Sequence, residues 1–138
     1  MLFNALATLV QTHRDEIAVH AAKQLMKIEP YSVLGQQRIA NGLIPWIDKM
    51  AEYLRDNDSL EWRNYIIGYT QREMQRGYSM EYLSAIPEYV SGSVINLIDV
   101  NFTTESQRNL RERFRHRISS LKNLSEITTN NCQFKEAM

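Results

Sequence analysis

Apolar residues recur at helical spacing along most of the chain, and no stretch alternates as a strand would. The clearest stripe is Met80, Leu83, Ile86, Pro87, Val90, Val94, Leu97 and Ile98, which share one side at 100° per residue while Glu81, Glu88 and Asp99 lie away from it. Its start is well marked. Gly77 suits the left-handed residue just past a preceding helix, and Ser79 with Glu81 suits an N-cap followed by a carboxylate at the positive end of the next helix. The opposite flank, Tyr82, Ala85, Tyr89, Gly92, Ser93 and Asn96, is also poor in charge, so this helix is expected in the middle of a bundle. Pro87 predicts a kink. A bend around the core is the simpler reading of it; the alternative is a ligand pocket beside Tyr82, Tyr89, Ser93 and Asn96.

The other helices follow from the same pattern. Phe3, Leu6, Val10, Ile17, Ala21, Gln24, Leu25 and Ile28 predict one long first helix, stopped at Pro30. Leu43, Trp46, Ile47, Met50, Tyr53 and Leu54 predict another, ending near Asp56-Asn57-Asp58. Asn41-Gly42 and Pro45 leave open whether residues 31–41 and 44–56 are two helices or one. Ser59 is expected to cap a third, running to Arg76. This one carries two stripes: Leu60, Ile67, Thr70 and Met74, and beside them Trp62, Tyr65, Ile66 and Tyr69. A helix packed on both sides explains this, and so does a subunit interface, where Trp and Tyr are enriched. A last helix begins after Thr103 or Thr104 with Glu105 in its first turn, and its stripe is Leu110, Phe114, Ile118, Leu121 and Leu124. Arg117 falls within that apolar side and has to snorkel or pair. The pattern ends at Leu124. The expected architecture is therefore all-α, a single bundle of about five or six helices over residues 1–124, with a globin-like arrangement open to it. Residues 125–138 are expected to form a flexible tail or the start of a linker.

Size and composition fit that picture. The chain has 138 residues, enough for one buried core, and 43% apolar with 23% charged residues is the balance of a folded domain. Its formal net charge is zero, so no global field recruits nucleic acid or an anionic membrane. No apolar run is long enough to span a bilayer, and the N-terminus has neither the basic flank nor the cleavage site of a signal peptide. A lone Cys132 excludes an internal disulfide framework and makes a reducing cytoplasm the expected compartment.

Candidate chemistry is sparse. His13 and His20 stand about 10 Å apart along a helix, too far to chelate one metal, and read as histidines at the edge of the core. No histidine lies between His20 and His116, which argues against a globin-type haem. There is no phosphate-binding glycine loop, nucleophile elbow or acidic metal motif, so neither cofactor nor metal is expected. Glu81 and Glu88 read as solubilising charges rather than a dyad. Arg108, Arg111, Arg115 and Lys122 gather on the outer face of the last helix, but Glu105 and Glu112 dilute it and nothing is placed to read bases.

Two segments add a resemblance. Arg76-Gly77-Tyr78-Ser79-Met80-Glu81-Tyr82-Leu83 and, on the first helix, Thr12-His13-Arg14-Asp15-Glu16-Ile17 resemble the N-terminal sensory domain of the RsbR and RsbRD co-antagonist family. Such domains are all-helical modules without haem, often dimeric, placed ahead of bacterial signalling domains. The resemblance implies a non-enzymatic sensor or interaction module acting on an output domain or partner protein. A small apolar ligand near Trp62, Tyr82, Tyr89, Ser93 and Asn96 is the expected input. A homodimer is expected through Trp62, Tyr65, Ile66, Tyr69 or Gly92, because the core has room for only one of the two extra aromatic faces. A nucleic-acid-associated protein using the basic face, and a small enzyme using His20 or Glu81, are the alternatives.

Overall fold

The computed structural model describes residues 3–28 and 31–137, with side chains as far as Cys132. Six α-helices make up the described chain: α1 (Asn4–Thr12), α2 (Arg14–Leu25), α3 (Gln36–Asp56), α4 (Ser59–Gln75), α5 (Met80–Asn101) and α6 (Arg108–Ala137). A 3-10 turn, Tyr31–Leu34, leads into α3, and another, Glu105–Gln107, leads into α6. Among the described residues there is no strand. The all-α bundle expected from the sequence is present.

The expected first helix is divided. His13 leaves helical dihedrals (φ −105°, ψ 20°), although its N–H still reaches the Leu9 carbonyl and its own carbonyl still accepts from Ile17. Its ring Nδ1 sits 2.8 Å from Glu16 Oε2, so a local side-chain contact holds the bend. At the other end, Lys27 and Ile28 bond back to Gln24 and Leu25 in a tightened last turn, so α2 closes at Leu25. The stop expected at Pro30 lies outside the described residues.

α3 is one helix. Gly35, at φ 83°, turns the chain into it, and Pro45 stands on its exposed side, where water can take the Asn41 carbonyl that a proline cannot serve. Asn57 ends it in the left-handed conformation, φ 56°. The cap of α4 is Asp58, not the expected Ser59: its carboxylate accepts from the Glu61 N–H at 3.0 Å, and its charge sits at the positive helix end. α4 closes as expected at Gly77, φ 96°, with Tyr78 N–H on the Glu73 carbonyl and Gly77 N–H on that of Met74, a Schellman arrangement. Ser79 then caps α5 by accepting from Tyr82 N–H at 3.2 Å. α5 runs unbroken through Pro87.

The packing closes a ring: α2 lies against α3 and α5, α5 against α6, α6 against α4, and α4 against α3, with α1 laid on α3. Trp46, Ile47, Met50, Leu54, Val90, Val94, Phe114, Ile118 and Leu121 fill the interior. Two expectations reverse here. On α4 the inward side is Trp62, Ile66 and Thr70, whereas Leu60, assigned to the core stripe, is 67% exposed. The stretch expected to be a tail continues α6, with Ser125, Thr128, Thr129 and Cys132 buried. Ser125 and Thr128 satisfy their own hydroxyls on the carbonyls of Leu121 and Leu124, which is how a Ser/Thr-rich segment stays helical and dry.

Candidate functional site

Three helix ends meet at one side of the ring: the 3-10 turn with the start of α3, the last turns of α4, and the first turn of α5. They are tied by one hydrogen bond, from the backbone N–H of the α5 cap Ser79 to Tyr31 Oη at 2.6 Å. Around it lie stacked rings. Tyr31 and Tyr78 are nearly parallel, 5.5 Å between centroids at 11°, and Tyr82 stands 4.4 Å from Tyr31 and 4.9 Å from Tyr78. On α4, Tyr65 and Tyr69 are 6.0 Å apart.

These five tyrosines line a groove of about 780 Å³, walled also by Val33, Leu34, Arg38, Gly42, Pro45, Arg72, Glu73 and Arg76. That is the size of a small-molecule site. Its electrostatics are uneven. Glu73 is held by Arg76 at 3.2 Å, whereas Arg38 and Arg72 form no ion pair among the described residues. Loss of hydration pushes the Tyr65 hydroxyl up to about 12, against a smaller downward pull from Arg72. Burial likewise raises Tyr69, helped by Glu73, and Tyr82, helped by Tyr78. The Tyr65 hydroxyl is buried with no hydrogen-bond partner.

No protein-family model, curated protein or solved structure matches the chain. The two segments singled out in the sequence, Arg76 to Leu83 and Thr12 to Ile17, fall on two junctions of the fold. The first forms the α4–α5 junction at the groove; the second spans the His13 bend.

The residues expected to share one pocket are separated. Tyr82 is in the groove. Trp62 is in the core, 2% exposed: its indole N–H donates to Ser125 Oγ at 3.0 Å, it meets Trp46 edge-on at 5.1 Å and it stacks on Tyr53 at 5.6 Å. Ile66 is buried beside it. Trp62 and Ile66 are therefore core residues rather than an exposed aromatic face, because the α3–α4–α6 junction needs their volume. Tyr65 and Tyr69 line the groove, and Gly92 is exposed on α5 with open space above its Cα. Tyr89 packs against the core.

Ser93 and Asn96 border a separate, smaller cleft of about 230 Å³ with Glu16, Ile17, His20, Leu97 and Val100. His20 Nδ1 lies 2.6 Å from Ser93 Oγ, which itself donates to the Tyr89 carbonyl at 3.0 Å. A hydroxyl has one hydrogen. While Ser93 gives it to that carbonyl, His20 must donate through Nδ1, the reverse of what a base activating a serine does. The contact ties α2 to α5. Glu81 and Glu88 are both exposed on α5.

The basic face of α6 is largely matched by local acceptors. Arg108 approaches Glu105 and Glu112 at 3.6 Å, Arg115 holds Asp99 at 3.1 Å, Lys122 faces Glu126 at 3.7 Å, and Arg111 donates to the Phe102 carbonyl at 2.8 Å. Arg117 is paired rather than snorkelled: it lies 4.5 Å over the Tyr53 ring and 5.1 Å over Phe3, and donates to the Tyr53 carbonyl at 3.2 Å. Among the described residues no group of three or more His, Cys, Asp or Glu side chains is placed to hold a metal ion, and no helix is long and apolar enough to cross a membrane.

The groove was partly hidden from sequence reasoning. Tyr82, Tyr65 and Tyr69 stood out as surplus aromatics on two helices, but Tyr31, Arg38 and Tyr78 come from segments with no stripe of their own. A signal was available in Tyr78, between the helix-stopping Gly77 and the helix-starting Ser79, where a side chain is held at a junction instead of on a helix face.

Proposed function

We propose that this domain is a non-enzymatic regulatory or sensory module of a bacterial signalling pathway, working as a homodimer and reporting to an output domain or partner protein. The observation that carries the reading is the placement of the groove. Its walls come from the entry to α3, the end of α4 and the start of α5, so an occupant touches three of the five helices that make the ring. A ligand that prefers one arrangement of these ends shifts the helix packing by its differential affinity for the two arrangements. The likeness of the α4–α5 junction to RsbR-type modules supports the same role.

A test that needs no identified ligand is to fill the groove from within. Gly42 lines it, and a Cβ added there meets no heavy atom within 4 Å. Gly42→Phe is expected to fold, to alter amide hydrogen exchange along α4 and α5, and to change the monomer–dimer balance. An unchanged exchange pattern in a folded variant would remove the groove as an input. Turnover abolished by His20→Ala would replace the reading with an enzyme. Salt-sensitive DNA binding, lost on charge reversal of Arg108, Arg111, Arg115 and Lys122, would replace it with a nucleic-acid-associated protein.

A further inference from the structure

We propose that the groove binds a small planar aromatic anion, its ring on the Tyr31–Tyr78–Tyr82 platform and its acid group shared by Arg72, the Tyr65 hydroxyl and Arg38. This rests on the groove being the module's input and names the chemistry of what enters it.

The ring comes first. Tyr31 and Tyr82 are buried and held, while Tyr78, parallel to Tyr31 and tilted 34° to Tyr82, is half-buried, so the face left for an incoming ring is that of Tyr78, backed by two fixed rings before anything binds. A planar ring stacked on such a face gains over an aliphatic body of equal area. The acid follows from what is unsatisfied. Arg38 and Arg72 line the groove without an ion pair among the described residues, and the one carboxylate there, Glu73, is engaged by Arg76. The Tyr65 hydroxyl is a buried donor without an acceptor, within electrostatic reach of the Arg72 guanidinium and, more weakly, of the Asp48 and Glu73 carboxylates. A ligand carboxylate or sulfonate accepts from both hydroxyl and guanidinium and offsets the charge; a neutral ligand leaves the arginines uncompensated.

The test uses a matched pair of fluorescent probes on the full chain: anilinonaphthalene sulfonate, and phenyl-naphthylamine, which is the same body without the sulfonate. The sulfonate is expected to bind about tenfold more tightly than the neutral probe. Arg72→Gln and Tyr65→Phe should each erase most of that difference, while Arg63→Gln, an equal charge change on the same helix away from the groove, should keep it. Arg72 is exposed, so its variant is expected to fold, and circular dichroism checks that it does. Equal affinity for the two probes, no binding of the sulfonate, or a preference untouched by both groove variants overturns the proposal. The two ideas fail separately. If the sulfonate is preferred as expected but Gly42→Phe leaves α4 and α5 unchanged, the groove is an anion site without being an input. If Gly42→Phe alters both helices while the probes bind alike, the input is real and its ligand is not an anion.

Discussion

Three tyrosines on α4 and α5 make the fold sensitive to alkali, and the sign follows from where they sit. Burial favours the neutral phenol at Tyr65, Tyr69 and Tyr82, whereas in the unfolded chain each ionises near pH 10. Between those limits the native state holds more protons than the unfolded one, so stability is complete below about pH 10 and falls as pH rises through the folded value, about 12 for Tyr65. The expected outcome is a late stage in the tyrosinate absorbance titration, above pH 10, that coincides with loss of helical signal. A single transition near pH 10 with the helices intact would show these hydroxyls to be solvated. The same residues mark what a sequence can and cannot say at this scale. Periodicity set Trp62, Tyr65, Ile66 and Tyr69 apart as one stripe, but only their neighbours decide its fate: Trp62 finds Ser125 and goes inside, while Tyr65 and Tyr69, further along α4, face a groove.

At the scale of elements, the boundaries written in local chemistry were legible. Gly77 and Ser79 act as a stop and a start by the expected hydrogen bonds, and the ends of α3 and α4 fall within a residue or two of expectation. Two features were not. The bend at His13 keeps both flanking backbone hydrogen bonds, so the apolar spacing runs across it undisturbed. The end of α6 is buried through small hydroxyl residues, which carry no hydrophobic signal because their polar groups are satisfied by their own helix. That difference has a measurable consequence. A chain ending at Leu124 would lose the acceptor for the Trp62 indole and uncover the α4–α6 contact, whereas a true tail could be removed freely. Removing that acceptor alone, by Ser125→Ala, is expected to cost about 1–3 kcal/mol, read as a lower urea midpoint and a shifted tryptophan emission; the truncation should cost more. If the truncated chain unfolds at the same urea concentration as the full one, residues beyond Leu124 add nothing to the fold.

For the whole molecule, the surplus of aromatic surface that suggested a dimer is mostly absorbed by the ring itself. Five helices in a closed circuit give α4 neighbours on two sides, so Trp62 and Ile66 need no second subunit. What remains exposed lies elsewhere. On α5, Gly92, Asn96 and Val100 recur at every fourth position and all face outward, with Val100 72% exposed at the edge of the His20–Ser93 cleft. A small residue at one end and an apolar one at the other is a face on which two copies of a helix can cross closely about a two-fold axis. Such a pairing would place α5, whose first turn forms part of the tyrosine groove, at the centre of the dimer, so that a change at the groove reaches both subunits along one helix. Sedimentation at micromolar concentration is expected to show a dimer that Gly92→Leu or Val100→Glu converts to folded monomer. Trp62→Ala should instead lower stability, through the cavity it leaves, with the subunit count unchanged as long as the chain is folded. A wild-type chain that sediments only as monomer ends the dimer idea; a dimer that survives both α5 variants moves the interface to another face and takes α5 out of the route between groove and partner.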